Sequence, residues 1–473
     1  MEQLRGGDHL WFAIETEHAP LHFVGVAVYD PSTRDRGAID IEDLKATVAS
    51  ELPRLPLRKR LVLAPWRVDL PYWVDAADFD LDDHVRELTL PSPGDRSAFL
   101  ATMTSLLEKP FDRSKPLWEM NLVSDLGGID EFPDGSFAVF VRVHHGQFDG
   151  TTALKLLNAL HTTEAASAAD RSPPWRPERT PSPAELVLRA PWHVAQRLWT
   201  SATVAGTLAP KLARRLTARS RRASPSSRRS PIPRTRFAEP LASHRRVFEF
   251  LRLPLDQVLA VRKMVPGATV NDVATTIAGG AVRRYLESLD ELPDEPVVVL
   301  MPVSAHAPGS PDDSGNRISL MTAAVHTEIA DPLERLRRGQ QASARSKQTT
   351  RDVGAGNVAD LLDALPTNLL DLAAEPLSRA GVLGRIPLPF SGISLTNVPG
   401  PREPLYFDGA RMVTLFGATF LVDVMGLIIA ITSYCDELLV GFTSTPEAVP
   451  DPAFLADCFR ASFEELRDAA LSD

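Results

Sequence analysis

The chain has 473 residues, which is long for a single hydrophobic core, so its length predicts two domains. Hydrophobic residues make up 44% and charged residues 24% of the chain, as is ordinary for a soluble globular protein. The formal net charge of −10 argues against a chain that binds nucleic acid as a whole.

Cysteine usage and hydropathy predict the cellular compartment of the protein. Cys435 and Cys458 show no CxxC spacing, so we expect neither a disulfide framework nor a structural zinc site. The stretch MEQLRGGDHLWFAIETEH lacks the basic-then-apolar pattern of a signal peptide. The most apolar stretch, FGATFLVDVMGLIIAITSY, is interrupted by Asp423 and is short for a membrane-spanning helix. These features predict a cytoplasmic protein.

The first block, residues 1–166, mixes strand and helix patterns. HFVGVAVYD predicts a strand, and IDIEDLKATVASEL and RSAFLATMTSLLEKPF predict helices. SFAVFVRVHH is a continuous apolar run of the kind found in interior strands. The stretch GTTALKLLNALHTTEAA then predicts another helix.

Residues 167–245 read as an inter-domain connection. Lys211 to Arg236 holds ten basic residues and no acidic one, and the region is rich in proline and serine. An amphipathic, basic helix is predicted at LVLRAPWHVAQRLWTSATVAGTLAPKLARRL. One interpretation is a solvated linker whose helix docks on a domain. The other is contact of residues 211–236 with an anionic membrane or lipid droplet, because basic residues are attracted to anionic lipid.

The last block, residues 246–473, also mixes strand and helix patterns, but it shows no direct sequence repeat of the first block. RVFEFLRLPL, EPVVVLMPVSA, ISLTNVPG and LIIAITSYCDELLVGFTST predict strands. TVNDVATTIAGGAVRRYLESL and DPAFLADCFRASFEELRDAAL are among the predicted helices. Both outer blocks therefore predict an α/β (α+β) fold in two domains of similar size.

The stretch VRVHHGQFDG carries the chemistry. Because side chains alternate along a strand, His144 and His145 point to opposite faces, with His144 on the face of Arg142. Three interpretations compete: buried structural histidines, a metal site of His144, His145 and Asp149, or a general-base histidine. Adjacent histidines on opposite faces make a poor tetrahedral ligand set, so no metal is expected. No G-x-S-x-G elbow, the mark of a nucleophilic serine, stands out. If the histidine is a general base, this favours direct attack of a hydroxyl on a carbonyl over a covalent acyl-enzyme.

HHGQFDG resembles the HHxxxDG signature of the CoA-dependent acyltransferase superfamily. Other stretches narrow the resemblance: IETEHAPLHFVG, FDRSKPLWEM, TVNDVATTIAGGAVRRYL, SLTNVPGP and GLIIAITSYCDELLVGF. In this order they resemble the bacterial wax ester synthase/acyl-CoA:diacylglycerol acyltransferase family over nearly the whole chain. The resemblance implies two chloramphenicol-acetyltransferase-like domains, each a mixed sheet with helices, with an active-site tunnel at their interface.

The resemblance also implies roles for the residues of the HHxxxDG motif. The second histidine of the motif is the family's general base, which assigns that role to His145. His144 would then shape the pocket, Asp149 would hold the loop as a structural carboxylate, and Gly150 would permit the turn.

Three further motifs carry implied site residues. The PLW motif, near the acyl or acceptor channel, falls on Pro116, Leu117 and Trp118. The ND motif falls on Asn271 and Asp272. An amide at Asn271 could donate to the developing oxyanion, although Asn271 is equally well explained as the N-cap of its helix. Glu15 lies in the N-terminal motif and is expected to contact the site.

The implied function is transfer of a long-chain acyl group from acyl-CoA to diacylglycerol or a fatty alcohol. No cofactor is expected, since acyl-CoA is a substrate, and no nucleic-acid partner is expected. Two alternatives stay open: a transferase of the same superfamily with another hydroxyl or amine acceptor, and a non-catalytic acyl-lipid-binding homologue. Leu21 replaces the methionine usual in the family's PMH motif, which bears on substrate preference rather than on reaction type.

Overall fold

The computed structural model describes residues 1–34, 36–124, 126–148, 150–163, 175–222, 232–304, 318–353 and 389–471. Asp149 and part of the basic connection, residues 223–231, lie outside these ranges. Side-chain surroundings along the end of the preceding helix, from residue 207 onward, are likewise outside the description.

The first half alternates short strands with helices. Its strands are β1 (Glu2–Gln3), β2 (His22–Asp30), β3 (Lys59–Val62), β4 (Tyr72–Asp75), β5 (Val85–Leu88), β6 (Trp118–Val123) and β7 (Phe137–His144). Its helices are α1 (Gly6–Ile14), α2 (Ile41–Glu51), α3 (Arg96–Glu108), α4 (Gly150–Leu160) and α5 (Pro183–Arg222). The strand predicted at HFVGVAVYD coincides with β2, and the helices predicted in this half coincide with α2 to α5 within a few residues.

The second half contains longer strands and helices. Its strands are β8 (Val247–Pro254), β9 (Val298–Ser304), β10 (Ile318–Ala324), β11 (Ile393–Val398), β12 (Tyr406–Phe407), β13 (Ala410–Ala418), β14 (Leu427–Tyr434) and β15 (Glu437–Ser444). Its helices are α6 (Leu255–Met264), α7 (Val270–Ser288), α8 (Pro332–Val353) and α9 (Pro452–Leu471). The sequence pattern did not indicate β12 and β13.

Two six-stranded mixed sheets organise the described residues. One has the order β12-β13-β2-β7-β6-β5 and the other has the order β10-β9-β11-β14-β15-β8. A smaller sheet, β1-β4-β3, lies in the first half. The predicted α/β (α+β) class with two sheet-rich halves is therefore confirmed. The first sheet is not made by the first half alone, because β13 comes from the second half and pairs antiparallel with β2.

The two halves also meet in a buried aromatic cluster. Phe416 of β13 stacks on Phe250 of β8 with ring centroids 4.0 Å apart. Both rings are buried in one hydrophobic cluster with Phe99 and Phe140 of the first half. Burial of such large apolar side chains is the main favourable term in folding, so this cluster joins the halves.

Helix α5 is held against the small sheet by one face. Leu186 packs in a buried cluster with Ala64 and Tyr72. The buried carboxylate of Asp69 accepts hydrogen bonds from the Tyr72 hydroxyl at 2.7 Å, His193 Nδ1 at 2.6 Å and Arg197 at 2.6 Å. These donors outweigh the effect of burial and lower the pKa of Asp69. We name this group, Asp69 with Tyr72, His193 and Arg197, the polar clamp.

Asp69→Asn is expected to lower the free energy of unfolding by about 1–3 kcal/mol, because it removes a buried acceptor from three donors. Denaturant unfolding near neutral pH measures the change. Since the folded-state pKa of Asp69 is lowered, the stabilisation is present above the ordinary aspartate pKa and is lost as the pH falls through the lowered value. Asp468→Asn, on an exposed carboxylate, is the control. An equal loss of stability in both variants would contradict the clamp.

Among the described residues, no helix is long and apolar enough to cross a membrane.

Candidate active site

The two histidines of the motif sit where strand β7 becomes a turn. His144 is the last residue of β7 and lies opposite His22 of β2. The His144 N–H donates to the Leu117 carbonyl at 3.0 Å, and the His145 N–H donates to the Leu21 carbonyl at 3.0 Å. The backbone of both histidines is therefore fixed by the neighbouring segments on either side.

Strand alternation separates the two side chains as expected. His144 is 1% exposed and stacks on Phe12, with ring centroids 4.4 Å apart and planes within 6°. His145 is half-buried and lies between Trp11, at 4.2 Å, and Phe420, at 5.0 Å, measured between ring centroids. His145 therefore sits between aromatic side chains from the two halves of the chain.

The hydrogen bonds place the ring N–H of the two histidines on opposite nitrogens. His145 Nδ1 lies 3.2 Å from the Phe148 carbonyl, which can only accept, so Nδ1 carries the proton and Nε2 carries the lone pair. His144 Nδ1 accepts from the Gly146 N–H at 3.0 Å, so its proton lies on Nε2. Only His145 thus presents a basic nitrogen at the outer end of its ring.

Glu15 contacts the surroundings of both histidines. Its Oε2 lies 3.4 Å from His144 Nε2 and pairs with Arg113. Its Oε1 accepts from the Leu21 N–H at 3.1 Å, and the carbonyl of the same Leu21 accepts from the His145 N–H. Burial opposes ionisation, but His144 and Arg113 outweigh it and hold the pKa of Glu15 well below its ordinary value.

His22 completes a buried group with Glu15 and His144, whose potential ligand atoms lie within 4.8 Å of one another. Burial, with help from His144, lowers the pKa of His22, so its imidazole is neutral near pH 7. A metal ion on His144 Nε2 would require the proton to move to Nδ1, where the Gly146 N–H already donates. These three side chains therefore fit a metal ion poorly.

Two residues of the turn that were not among the predicted site residues fix its geometry. A Cβ added to Gly146 would lie 2.3 Å from Phe12 Cε2, so only glycine allows the close approach to that ring. Gln147 Oε1 accepts from the Leu117 N–H at 2.8 Å, while its Nε2 donates to the carbonyls of Pro56 and Lys59. Because these partners are distant in sequence, no local pattern marks Gln147.

The PLW motif packs in the core beside the histidine turn. Pro116, Leu117 and Trp118 are all buried, and Trp118 pairs with Val143 in the β6–β7 ladder. The Trp118 indole donates to the Leu57 carbonyl at 2.6 Å. Their predicted role in substrate binding stays a prediction, since the contacts observed are with the core and with the backbone of the histidine turn.

The ND motif begins helix α7, and the alternative interpretation of Asn271 as its N-cap is wrong. Thr269 is the N-cap and forms a capping box with Asp272, which is buried. Asn271 Oδ1 instead accepts from Asn397 Nδ2 at 3.2 Å. The fold thus joins the ND motif to the SLTNVPGP motif on β11.

Gly150 is the first residue of α4, and the predicted role of Asp149 falls outside the described residues.

A cavity of about 980 Å³ opens beside the Glu15 side of the site. Phe12 and Glu15, which contact His144, form part of its wall. Leu63 and Arg67 line it in the first half, and Leu241 and His244 line it in the second. A cavity of this size holds a lipid-sized ligand.

Comparison with known sequences decides the family. The model of the wax ester synthase/diacylglycerol acyltransferase catalytic domain matches residues 4–274, and the C-terminal-domain model matches residues 314–467. A Mycobacterium tuberculosis relative named putative diacylglycerol O-acyltransferase is 32% identical over 99% of this chain and 98% of its own. Another from that species, named probable diacylglycerol O-acyltransferase tgs2, is 28% identical over 99% of both chains.

The chain belongs to the wax ester synthase/diacylglycerol acyltransferase family. Membership confirms the family predicted from the motifs. It also confirms the predicted class of activity: a wax ester synthase/diacylglycerol acyltransferase is an acyl-CoA-dependent O-acyltransferase acting on diacylglycerol or an alcohol.

Solved structures support the fold of this chain. The enzyme of that name from Marinobacter aquaeolei VT8 matches with a TM-score of 0.67 and 23% identity, covering 99% of this chain and 100% of that one. A variant of the starter condensation domain of rhizomide synthetase, in complex with C8-CoA, matches with a TM-score of 0.54 and 15% identity, covering 99% and 95%. These likenesses confirm the predicted two-domain architecture.

Proposed function

We propose that the protein transfers a long-chain acyl group from acyl-CoA to diacylglycerol or a fatty alcohol, with His145 as the general base. The observation that carries the assignment is the position of His145 Nδ1, 3.2 Å from the Phe148 carbonyl, which can only accept a hydrogen bond. Since Nδ1 donates in this contact, Nε2 is the ring nitrogen that carries the lone pair and acts as the base.

The reaction then follows in balanced steps. His145 Nε2 takes the hydroxyl proton of the acceptor while the hydroxyl oxygen bonds to the thioester carbonyl carbon. The carbonyl oxygen of the tetrahedral intermediate carries the negative charge. When the carbon–sulfur bond breaks, the ester forms, and the imidazolium returns its proton to the CoA thiolate.

His144 is excluded from the base role by the contacts of its two ring nitrogens. Its Nδ1 lone pair already accepts from Gly146, and its Nε2 carries a proton towards Glu15. We propose that His144 shapes the pocket, as the family resemblance implies, and that it also holds the turn through the Gly146 N–H.

Asn271 is proposed as a donor to the oxyanion. The Asn397 amide donates to Asn271 Oδ1, which turns the Nδ2 group of Asn271 to the other side as a donor. An oriented amide of this kind stabilises the charge that develops in the intermediate.

The aromatic surroundings of His145 favour transfer over hydrolysis. Trp11 and Phe420 flank the imidazole, and their rings contribute apolar surface at the reacting centre. Apolar walls exclude water, which would otherwise compete with the lipid alcohol for the thioester.

Thiol release from purified protein tests the proposal. Palmitoyl-CoA is supplied alone, with dioleoylglycerol, with hexadecanol and with a long-chain amine. We expect release that depends on either alcohol, with the corresponding ester as product. Release only with the amine would support a different acceptor class, and no release with any acceptor would support a non-catalytic acyl-lipid-binding protein.

We also propose that the protein is peripheral on a membrane or lipid droplet, through residues 211–236. The ten basic residues of this segment support the proposal, since anionic lipid attracts them. Helix α5 carries the first part of the segment, up to Arg222.

A further inference from the structure

Helix α5 carries an exposed apolar stripe along its outer side. Leu188, Trp192 and Trp199 are 80%, 67% and 75% exposed. With about 3.6 residues per turn, these positions share one face, and Leu198 extends it along the side. Contiguous exposed apolar side chains of this size mark an interaction surface rather than ordinary surface.

The stripe is held outward by the opposite face of the helix. Leu186 and Ala190 are buried, and His193 and Arg197 are fixed by Asp69 in the polar clamp. These four positions lie half a turn away from the tryptophans. The helix cannot roll to bury the tryptophans without breaking the clamp, so their exposure follows from specific contacts.

The charge of the helix indicates what covers the stripe. From Leu186 to Arg222 the sequence contains eight basic residues and no acidic one, although the whole chain has a net charge of −10. Tryptophan prefers the boundary between lipid headgroups and acyl chains, and basic residues are attracted to anionic headgroups.

A neighbouring turn adds a third tryptophan beside the cavity. Trp66 is 84% exposed and has a φ of 53°, a left-handed conformation that is unfavourable for a bulky residue. The turn adjoins α5, because Leu186 packs with Ala64. Leu63 and Arg67 of the same segment line the cavity that reaches Glu15. Backbone strain that is retained at an exposed aromatic residue points to a role in binding.

We propose that the outer face of α5, together with Trp66, seats on an anionic phospholipid surface, so that the cavity opens towards it. Trp192 and Trp199 enter the headgroup boundary, and the basic end of the helix attracts the headgroups. The delivery of a lipid alcohol through this cavity rests on the proposed acyl transfer, whereas the seating itself does not.

Co-sedimentation with vesicles of phosphatidylcholine and phosphatidylglycerol tests the seating. The double variant Trp192→Ser/Trp199→Ser is expected to have a partition coefficient at least about tenfold lower than the wild type, because it loses two large apolar anchors. Trp66→Ser is expected to weaken partitioning by a smaller factor. Added salt is expected to weaken binding of the wild type, as the basic residues require.

Phe454→Ser is the matched control, since Phe454 is an exposed aromatic residue of α9, outside this surface. It is expected to partition like the wild type. Thermal unfolding checks that each variant is folded. Unchanged partitioning of the double variant would overturn the proposal. If the double variant binds vesicles like the wild type but is a monomer where the wild type is a dimer, a second copy of the chain covers the stripe instead.

Turnover separates this proposal from the proposed function. The double variant is expected to lose activity on diacylglycerol presented in vesicles and to keep activity on a short, water-soluble alcohol such as hexanol. Equal loss on both acceptors would overturn the role of the surface in substrate delivery. If the wild type acylates neither acceptor, the proposed function fails, while the vesicle-binding result still decides the seating.

Discussion

His145→Ala is expected to lower kcat by about 10²–10⁴-fold, the usual contribution of a positioned general base. The loss follows because the variant has no nitrogen to take the hydroxyl proton or to return it to the thiolate. The KM for acyl-CoA is expected to change little, since the imidazole acts on the transferred proton. Steady-state thiol release with diacylglycerol or hexadecanol measures both constants.

His144→Ala is the matched comparison. It removes the ring that stacks on Phe12 and accepts from Gly146, so we expect a smaller fall in kcat together with a lower melting temperature. A folded His144→Ala variant whose kcat falls as far as that of His145→Ala would show that the two roles are exchanged. Wild-type kcat in His145→Ala would remove the general base altogether.

Glu15→Gln is expected to lower kcat by about 10–100-fold, the range typical of residues that orient a functional imidazole. Glu15 is a positioning residue, because it faces His144 Nε2 and, through Leu21, holds the strand that accepts from the His145 N–H. A glutamine amide replaces one oxygen with a donor, which opposes the Nε2–H of His144. The nitrogen chemical shifts of His144 are expected to report a change of tautomer, which a merely structural residue would not cause.

The pH dependence of this variant follows from the lowered pKa of Glu15. In the wild type the carboxylate stays charged throughout the range above its ordinary pKa, and its contribution is lost only as the pH falls through the lowered value. The ratio of wild-type to Glu15→Gln activity is therefore expected to be constant between about pH 6 and pH 8. Glu42→Gln, on an exposed carboxylate of α2 that does not line the cavity, is the control and is expected to leave kcat unchanged. A Glu15→Gln variant with wild-type kcat and an unchanged His144 tautomer would contradict the assignment.

Local periodicity was enough to predict much of the fold. The apolar run of β2, the interior strand β7 and the amphipathic helices α2 and α7 are each encoded within a short window of sequence, because side-chain direction repeats with the secondary structure. The same alternation predicted that His144 and His145 point to opposite faces of the strand. The motif order was sufficient to predict the family.

What periodicity could not predict is which distant segments become neighbours. The pairing of β13 with β2 joins residues almost 400 positions apart, and nothing within either strand identifies the other. The interpretation of Asn271 as the N-cap of α7 missed the cap by two residues, since Thr269 and Asn271 are both good capping residues and only the backbone geometry distinguishes them.

The sequence by itself thus determined the family, the fold class and the pair of histidines at the end of a strand. Only the tertiary structure decided which ring nitrogen of each histidine carries the proton, because each tautomer depends on one hydrogen bond within the turn, and His144 also faces a carboxylate more than a hundred residues away. It also decided that the tryptophans of α5 face outward, since the helical period defines two faces but only the polar clamp on Asp69 selects which of them is buried.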